Sequence, residues 1–383
     1  MRFKEFNTAW IHSKIGEICE IEMCKRIFSN QTNTIGGVPF YKIGTIGGKP
    51  DTWISENLFN EYKDKYNYPK KGEILITCSG TVGKCIIFNG EDAYFQDSNI
   101  VWLANKSTVL NIFLFYIMNN IDWSYLNSTT ITRIYGSDLR NLDFYYPNNK
   151  NEQQKVTEFL SLIDKRIDTQ SKIIEDLELF EKEINNTIIN KLVEYKDLVK
   201  FSSIYNFAKE GGTPNTSHPE YYTKGSIPFV KIDDLTTKYL VSNQSFITKL
   251  GLKNSSAWLI PANSLLYSNG ATIGAISINK YPVTTKQGIL GIVPKSDYLS
   301  EYLYYFLRSN YFKKEICKIT TQGTMKSAYI KDIDNILVPR INKNQQNEIL
   351  TLLSEITFKI QKEKDMLELY KKQKAYLLKN MFI

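Results

Sequence analysis

Few residues in this 383-residue chain have the types and spacing that bond-making chemistry needs. Only two histidines occur, His12 and His218, which excludes a histidine-rich metal centre. The five cysteines form no Cys-x-x-Cys pair, and Cys19 with Cys24, or Cys78 with Cys85, are spaced too widely for the usual zinc pairs. They read as small buried residues of a reducing compartment. Gly44-Thr-Ile-Gly-Gly48 fits neither a dinucleotide nor a P-loop spacing. Gly83-Lys84 is followed by Cys85 rather than Ser or Thr, so a hairpin turn is the better reading. There is no Pro-Pro dipeptide, so the Asn-Pro-Pro-Tyr motif that holds a target amine in amino-methyltransferases is missing. Glu61-Tyr-Lys63 and Glu181-Lys-Glu183 do not build the carboxylate cluster of a metal-dependent nuclease. Asp233-Asp234 sits in a turn, where capping is the plainer role. The reading is a non-catalytic chain without a metal or cofactor of its own.

What remains is recognition chemistry. Polar and basic residues stand in glycine-containing loops between apolar strands, at matching places in two halves of the chain. In the first half they are Lys42, Thr45, Lys49, Ser79, Thr81, Lys84, Arg133 and Tyr135; in the second, Lys231, Asp233, Ser268, Asn269, Thr272, Lys286, Gln322 and Lys326. Lys, Arg, Ser and Thr suit phosphate contacts, and a few side chains read base edges. Arg133, one of four arginines before residue 150 and next but one to Tyr135, is best suited to bidentate guanine contact. The formal net charge of +8 is uneven: +7 falls within 197–340 and −3 within 151–196. A basic domain points to a polyanion, usually nucleic acid.

The elements that must position these loops are organised around one helix, over residues 151–196. Its apolar seam runs Leu160, Ile163, Ile167, Ile174, Leu177, Ile184 and Ile188, broken by Gln170, Glu181 and Lys191. Pro147 stops the preceding segment, and Asn151 with Gln154 is the expected capping box. About 45 residues give a rod of roughly 65 Å, longer than a small core needs. Residues 341–383 have the same character. Their seam is Ile349, Leu353, Ile356, Ile360, Leu367, Tyr370, Leu377 and Met381, with breaks at Glu363 and Lys374 and an opening pair Gln345-Gln346 against Gln153-Gln154. The spacing predicts that the two helices pair with each other as an antiparallel coiled coil.

The repetition extends beyond the helices. Residues 37–43 match 226–232, residues 72–83 match 263–274, and Gln96 lines up with Gln287, all at an offset near 190. Thr129-Thr130 matches Thr320-Thr321, and Gly136 matches Gly323. Short strands are predicted over Ile74–Cys78, Lys84–Phe88, Asn99–Leu103, Leu265–Tyr267, Ala275–Ile278 and Gly288–Val293, and helices over Ile112–Asn119 and Glu301–Asn310. The fold class is α+β. Globular units over 1–150 and 197–340 alternate with long helices over 151–196 and 341–383, giving a pseudo-two-fold object. Two similar but non-identical heads on a rigid spacer suit an asymmetric two-part site on DNA.

In that order, twice over, these phrases resemble the specificity subunit of type I restriction–modification enzymes across essentially the full length. Gly211-Gly-Thr-Pro-Asn-Thr-Ser-His-Pro-Glu-Tyr-Tyr222 followed by Ile227–Leu235 looks like the opening of a target recognition domain. Gly72–Thr77 with Ser79–Lys84 looks like its central strand–turn–strand. Gly323–Ile330 and Asn151–Val156 look like its end and the start of a spacer helix. The first opening departs from the pattern, since Gly36-Gly37 lacks the Thr-Pro that follows Gly211-Gly212. The resemblance implies no catalytic activity, and one half of a split double-stranded DNA site for each recognition domain. It also implies helices that set the spacer and dock two methyltransferase subunits. Those would carry S-adenosylmethionine; restriction subunits would bring ATP and Mg2+. Without an 18-residue apolar run or a signal-peptide core, a cytoplasmic protein is expected. Two alternatives stay open: a specificity subunit of a methyltransferase with no restriction partner, and a coiled-coil interaction scaffold that binds no DNA.

Overall fold

The computed structural model describes residues 2–382 apart from 107, 124–132, 271 and 321–326. Two compact units emerge: Met1–Ser171 with Met366–Ile383, and Lys172–Asp365. The division falls inside both long helices, Lys150–Tyr195 and Lys343–Met381.

In the first unit an antiparallel sheet runs Cys19–Glu22, Ile100–Asn105, Ile74–Thr77, Cys85–Ile87 in spatial order. Its strand Ile74–Thr77 is buried on both faces, so it reads as an unbroken apolar run rather than an alternating one. Ile74 and Ile76 face a core shared with Phe113, Leu114 and Leu160; Leu75 faces a second core with Trp102, Tyr94 and Ile54. A smaller sheet orders Thr32–Asn33, Trp53–Ile54, Val38–Tyr41 and Tyr94–Phe95, the last pair parallel. Ile11–Lys14 pairs with Asp143–Tyr146 and closes the globular part just before the long helix.

The second unit repeats this plan. Its sheet orders Tyr205–Glu210, Ile289–Pro294, Leu265–Ser268, Ile276–Asn279 and Tyr239–Leu240. A smaller sheet joins Phe246–Ile247, Ile227–Val230 and Thr284–Thr285, and Leu198–Lys200 pairs with Leu337–Pro339. The expected strands lie within two residues of the observed ones. The parallel pairings (Phe40 beside Tyr94, Phe229 beside Thr284) and the helix Asn310–Ile319 were not expected. The expected helices near 112 and 301 are Asn111–Met118 and Ser300–Arg308.

The long helices run antiparallel within each unit. In the first, Asp164 meets Lys374 and Arg166 lies over Tyr370; in the second, Glu178 meets Lys364 and Glu181 meets Thr357. Leu160, Ile163, Ile174, Leu353, Ile360, Leu377 and Met381 are buried. Ile167, Leu177, Ile184, Ile188, Ile349, Ile356, Leu367 and Tyr370 are half-buried, and Ile189, beside Ile188, is the fully buried residue of its turn. The cap expected at Asn151 lies two residues earlier. The Asn149 side chain accepts from the Asn151 N–H, and the Asn149 carbonyl from Glu152 and Gln153. The C-terminal helix opens on a reciprocal box, in which Gln345 N–H donates to Asn342 Oδ1 and Asn342 N–H to Gln345 Oε1. Leu160→Ala should cost about 3 kcal/mol, because the side chain is 0 % exposed and its truncation leaves a cavity. Leu162→Ala, 63 % exposed on the same turn, should cost almost nothing. Urea unfolding of both variants checks the pair.

Candidate nucleic-acid interface

The turn between Ile74–Thr77 and Cys85–Ile87 is held from inside. Thr77 Oγ1 accepts from Lys84 N–H at 3.0 Å and donates to the Thr81 carbonyl, and Gly83 N–H donates to Thr77 O at 2.8 Å. Gly83 has φ +79°, and a Cβ there would lie 2.1 Å from the Trp123 indole nitrogen. The glycine is therefore required by both backbone and space. This is the hairpin turn expected from the sequence, not a phosphate loop.

Arg133 is placed against that turn. It forms an isolated antiparallel bridge with Ser79, and Ile134 N–H donates to Cys78 O at 2.8 Å. The Arg133 guanidinium donates to Ser98 O at 3.2 Å and lies 5.8 Å from the Tyr135 ring, which is 61 % exposed. Arg133, Tyr135 and Arg140 border a cleft of about 290 Å³ together with Met23 and Ser98. Arg26, a further arginine of this half, pairs with Asp97 at 3.2 Å, beside Ser98. Met23 and Arg26 were missed in the sequence because they precede Arg133 by more than a hundred residues; Arg140, only seven residues after it, could have been found from the scarcity of arginine.

Other candidates divide by what they touch. Lys42 Nζ donates to Thr52 Oγ1 at 2.6 Å and lies 3.5 Å from Asp51. The Thr52 hydroxyl, with Lys42 nearby, holds the Asp51 carboxyl below its usual range. Lys84 Nζ donates to Ile46 O at 2.6 Å, and Thr45 Oγ1 accepts from Lys42 N–H. These three residues brace the turn around 42–49 as they stand. Lys49 and Thr81 are exposed, and Ser79 is half-buried.

In the second unit, two candidates are corrected. Ser268 is 0 % and Asn269 5 % exposed, so neither side chain reaches a surface. Asn269 Nδ2 donates to Ala328 O at 3.0 Å while Ala328 N–H donates back to Asn269 O, the same tie that Cys78 makes with Ile134. Both positions are core seats inside a repeated turn. Lys231, Asp233, Thr272 and Lys286 are exposed. Asp234, not Asp233, does the capping, accepting Lys231 N–H at 2.8 Å. Gln322 and Lys326, with Thr321 and Gly323, lie outside the described residues, as do Thr129 and Thr130. The opening loop 211–222 closes on itself through Tyr222 O–H to Pro214 O, and leaves Asn215–His218 exposed at its tip.

Four cysteines are buried and Cys317 is exposed. Burial pushes the Cys19, Cys24 and Cys85 thiols up to about 12, so they stay protonated and unreactive. Among the described residues no group of three or more His, Cys, Asp or Glu could hold a metal, and no helix is long and apolar enough to cross a membrane.

The model of the type I restriction modification DNA specificity domain matches residues 7–179 and again 182–369. The chain belongs to this family, with two copies of the domain in tandem. A Haemophilus influenzae protein named as a type I restriction enzyme specificity subunit is 47% identical over 167 residues, 43% of this chain and 42% of that protein. The MjaIX specificity subunit of Methanocaldococcus jannaschii is 31% identical over 210 residues, 53% and 48% of the two chains. The chain thus spans about half the length of the curated relatives it matches. Two solved structures are similar in fold. A chain from work on assembly and conformational transition of the type I system has TM-score 0.63 at 15% identity, covering 97% of both chains. The crystal structure of the S subunit from M. genitalium has TM-score 0.53 at 18% identity, covering 100% of this chain and 99% of that one.

Proposed function

We propose that this chain is the non-catalytic DNA-recognition subunit of a type I restriction–modification assembly. Each family domain reads one half of a split, asymmetric site. The duplication carries this reading: two copies of one recognition plan present different residues at corresponding turns. Ile134 N–H ties to Cys78 O beside the first turn and Ala328 N–H to Asn269 O beside the second, so Arg133 of the first unit stands where the second has Ser327. A chain that read a palindrome would have no use for two unlike heads.

The long helices offer large apolar side chains away from their shared seam. Leu179, Phe180 and Phe358 are 53 %, 50 % and 62 % exposed in the second unit, and Leu369 and Tyr376 are both 58 % exposed in the first. Such faces favour burial by further protein. We assign them to methyltransferase subunits, which would hold S-adenosylmethionine, with restriction subunits joining to use ATP and Mg2+.

The direct test is single-molecule sequencing for N6-methyladenine in a host expressing this chain with a cognate methyltransferase subunit. A split methylated motif that disappears on deleting this chain is expected. Methylation unchanged by the deletion would end the reading. Within that assay, Arg133→Ala should weaken one half-site by roughly ten- to a hundredfold, the value of one bidentate base contact, and leave the other intact. An equal loss on every DNA sequence would reduce Arg133 to a phosphate contact.

A further inference from the structure

Both units contain the same clasp, made from different residues. In the first, Gln153 is fully buried, accepts from Leu110 N–H at 2.7 Å and donates to Pro147 O at 2.8 Å. Leu110 is the N-cap of the short helix Asn111–Met118. Further along that helix, Tyr116 O–H donates to Asp164 Oδ2 at 2.8 Å, and Asp164 Oδ1 lies 2.5 Å from Lys374 Nζ on the other long helix. In the second unit Gln346 is equally buried and accepts from Leu299 N–H at 2.8 Å, where Leu299 caps Ser300–Arg308. Tyr305 O–H lies 2.9 Å from Thr357 Oγ1, which lies 2.5 Å from Glu181 Oε1 on the other long helix.

The correspondence is numerical. Leu299 and Tyr305 each stand 189 residues after Leu110 and Tyr116. Gln346, Thr357 and Lys374 each stand 193 after Gln153, Asp164 and Glu181. The long helices have exchanged places in the clasp. The tyrosine meets the central helix in one unit and the C-terminal helix in the other, and each relay ends on the opposite partner. Each tyrosine also has a lysine ammonium near its ring: Lys374 at 6.0 Å from Tyr116 and Lys238 at 4.5 Å from Tyr305.

Apart from the Lys238 ammonium, which donates to the Tyr305 hydroxyl at 3.3 Å, the cores do not need these hydroxyls. Tyr116 and Tyr305 are each 2 % exposed within apolar clusters that phenylalanine would fill as well. What the O–H adds is direction. An apolar seam tolerates sliding, whereas a polar contact at a defined position fixes register. We propose that the tyrosine relays are register locks fixing where each recognition domain sits along the helix pair, and thereby the spacer length accepted between half-sites. This rests on the two-part reading proposed above. Tyr116 and Tyr305 are positioning residues. A slip of one helical turn is ~5.4 Å, one to two base-pair steps of ~3.4 Å.

The test uses the full chain in complex with its methyltransferase subunit, on duplexes whose spacer is varied by one and two base pairs and whose half-sites are scrambled one at a time. For Tyr116→Phe/Tyr305→Phe, rejection of scrambled half-sites should persist, while the preference for the native spacer over its neighbours falls at least tenfold. Asp164→Asn, which still accepts the Tyr116 hydroxyl, should keep most of that preference. Thr357→Val, changing only the relay in the second unit, should lose part of it and covers the case in which the double variant does not fold. An unchanged spacer profile in a folded Tyr116→Phe/Tyr305→Phe or Thr357→Val variant overturns the lock, as does uniform loss of activity at an unchanged unfolding midpoint. Indifference of the wild-type complex to scrambled half-sites would instead sink the two-part reading, and the lock with it.

Discussion

Gln346→Leu should destabilise the second unit by about 3 kcal/mol, because it strips partners from buried backbone groups while conserving volume. The side chain is 0 % exposed; its amide nitrogen donates to Asp297 O at 2.8 Å and Ile341 O at 3.2 Å, and its oxygen accepts Leu299 N–H. Each orphaned group costs on the order of 1–3 kcal/mol, and a leucine offers none of them a substitute. Chemical denaturation followed by aromatic fluorescence should report a shifted transition. Gln154→Leu, at an exposed position of the matching doublet in the first unit, should shift it by less than about 0.5 kcal/mol. A Gln346→Leu loss below about 1 kcal/mol would mean that water reaches those groups, and that the buried glutamine is not a bolt.

Gly211→Ala should have an effect of similar size, with a functional signature. Gly211 N–H donates to Ile289 O and Gly212 N–H to Thr285 O, so the loop lies flat on the strand that leads to Lys286. A Cβ on Gly211 would lie 2.3 Å from Thr285 O and 2.7 Å from Lys286 O, both backbone atoms that cannot swing aside. Overpacking of this kind costs roughly 1–3 kcal/mol. It also moves the segment bearing Lys286. Binding to the second half-site should fall tenfold or more, with the first half-site unaffected. Gly36→Ala is the contrast: nothing lies within 4 Å of its Cβ, so the cost is confined to its φ of +78°. If Gly211→Ala bound both half-sites normally, the opening loop would have no part in recognition.

Much of the architecture was legible because its signals are periodic. The heptad seams specified the two long helices and their partnership, and the near-190 offset specified the duplication before any strand was assigned. Glu181 and Lys374 were visible as polar breaks in otherwise apolar seams. Their equivalence was not, because it depends on an exchange of roles between helices that only the fold reveals. The Gln doublets were legible as a repeat, but off by one in register: Gln153 corresponds to Gln346, not to Gln345. The helix cap was misplaced by two residues because Asn149 and Asn151 are equally good caps by type.

The candidate recognition surface was the least legible part. Ser268 and Asn269 have the residue types of a binding loop, yet the central strand extends through Ser268 and buries both. Lys42 and Lys84 look like free cations in sequence but find a hydroxyl and a carbonyl at 2.6 Å. Loop chemistry is decided by tertiary neighbours, for which one-dimensional spacing has no proxy. Arg133 could be singled out because arginine is rare in its half. Arg140 follows it by seven residues, whereas Met23 joined it at the cleft only through folding.

The residues Leu377, Leu378 and Met381 are buried in the first unit's core, and Phe382 packs on Phe113 and Trp10. They are synthesised after the whole of the second unit, Lys172–Asp365. At a translation rate of about 5–20 residues per second, the first core waits roughly 10–40 s on the ribosome for its last wall. During that interval its apolar face has no native cover, and the nascent chain offers it to chaperones. A stop codon near residue 370 would therefore injure the domain made first rather than the one made last.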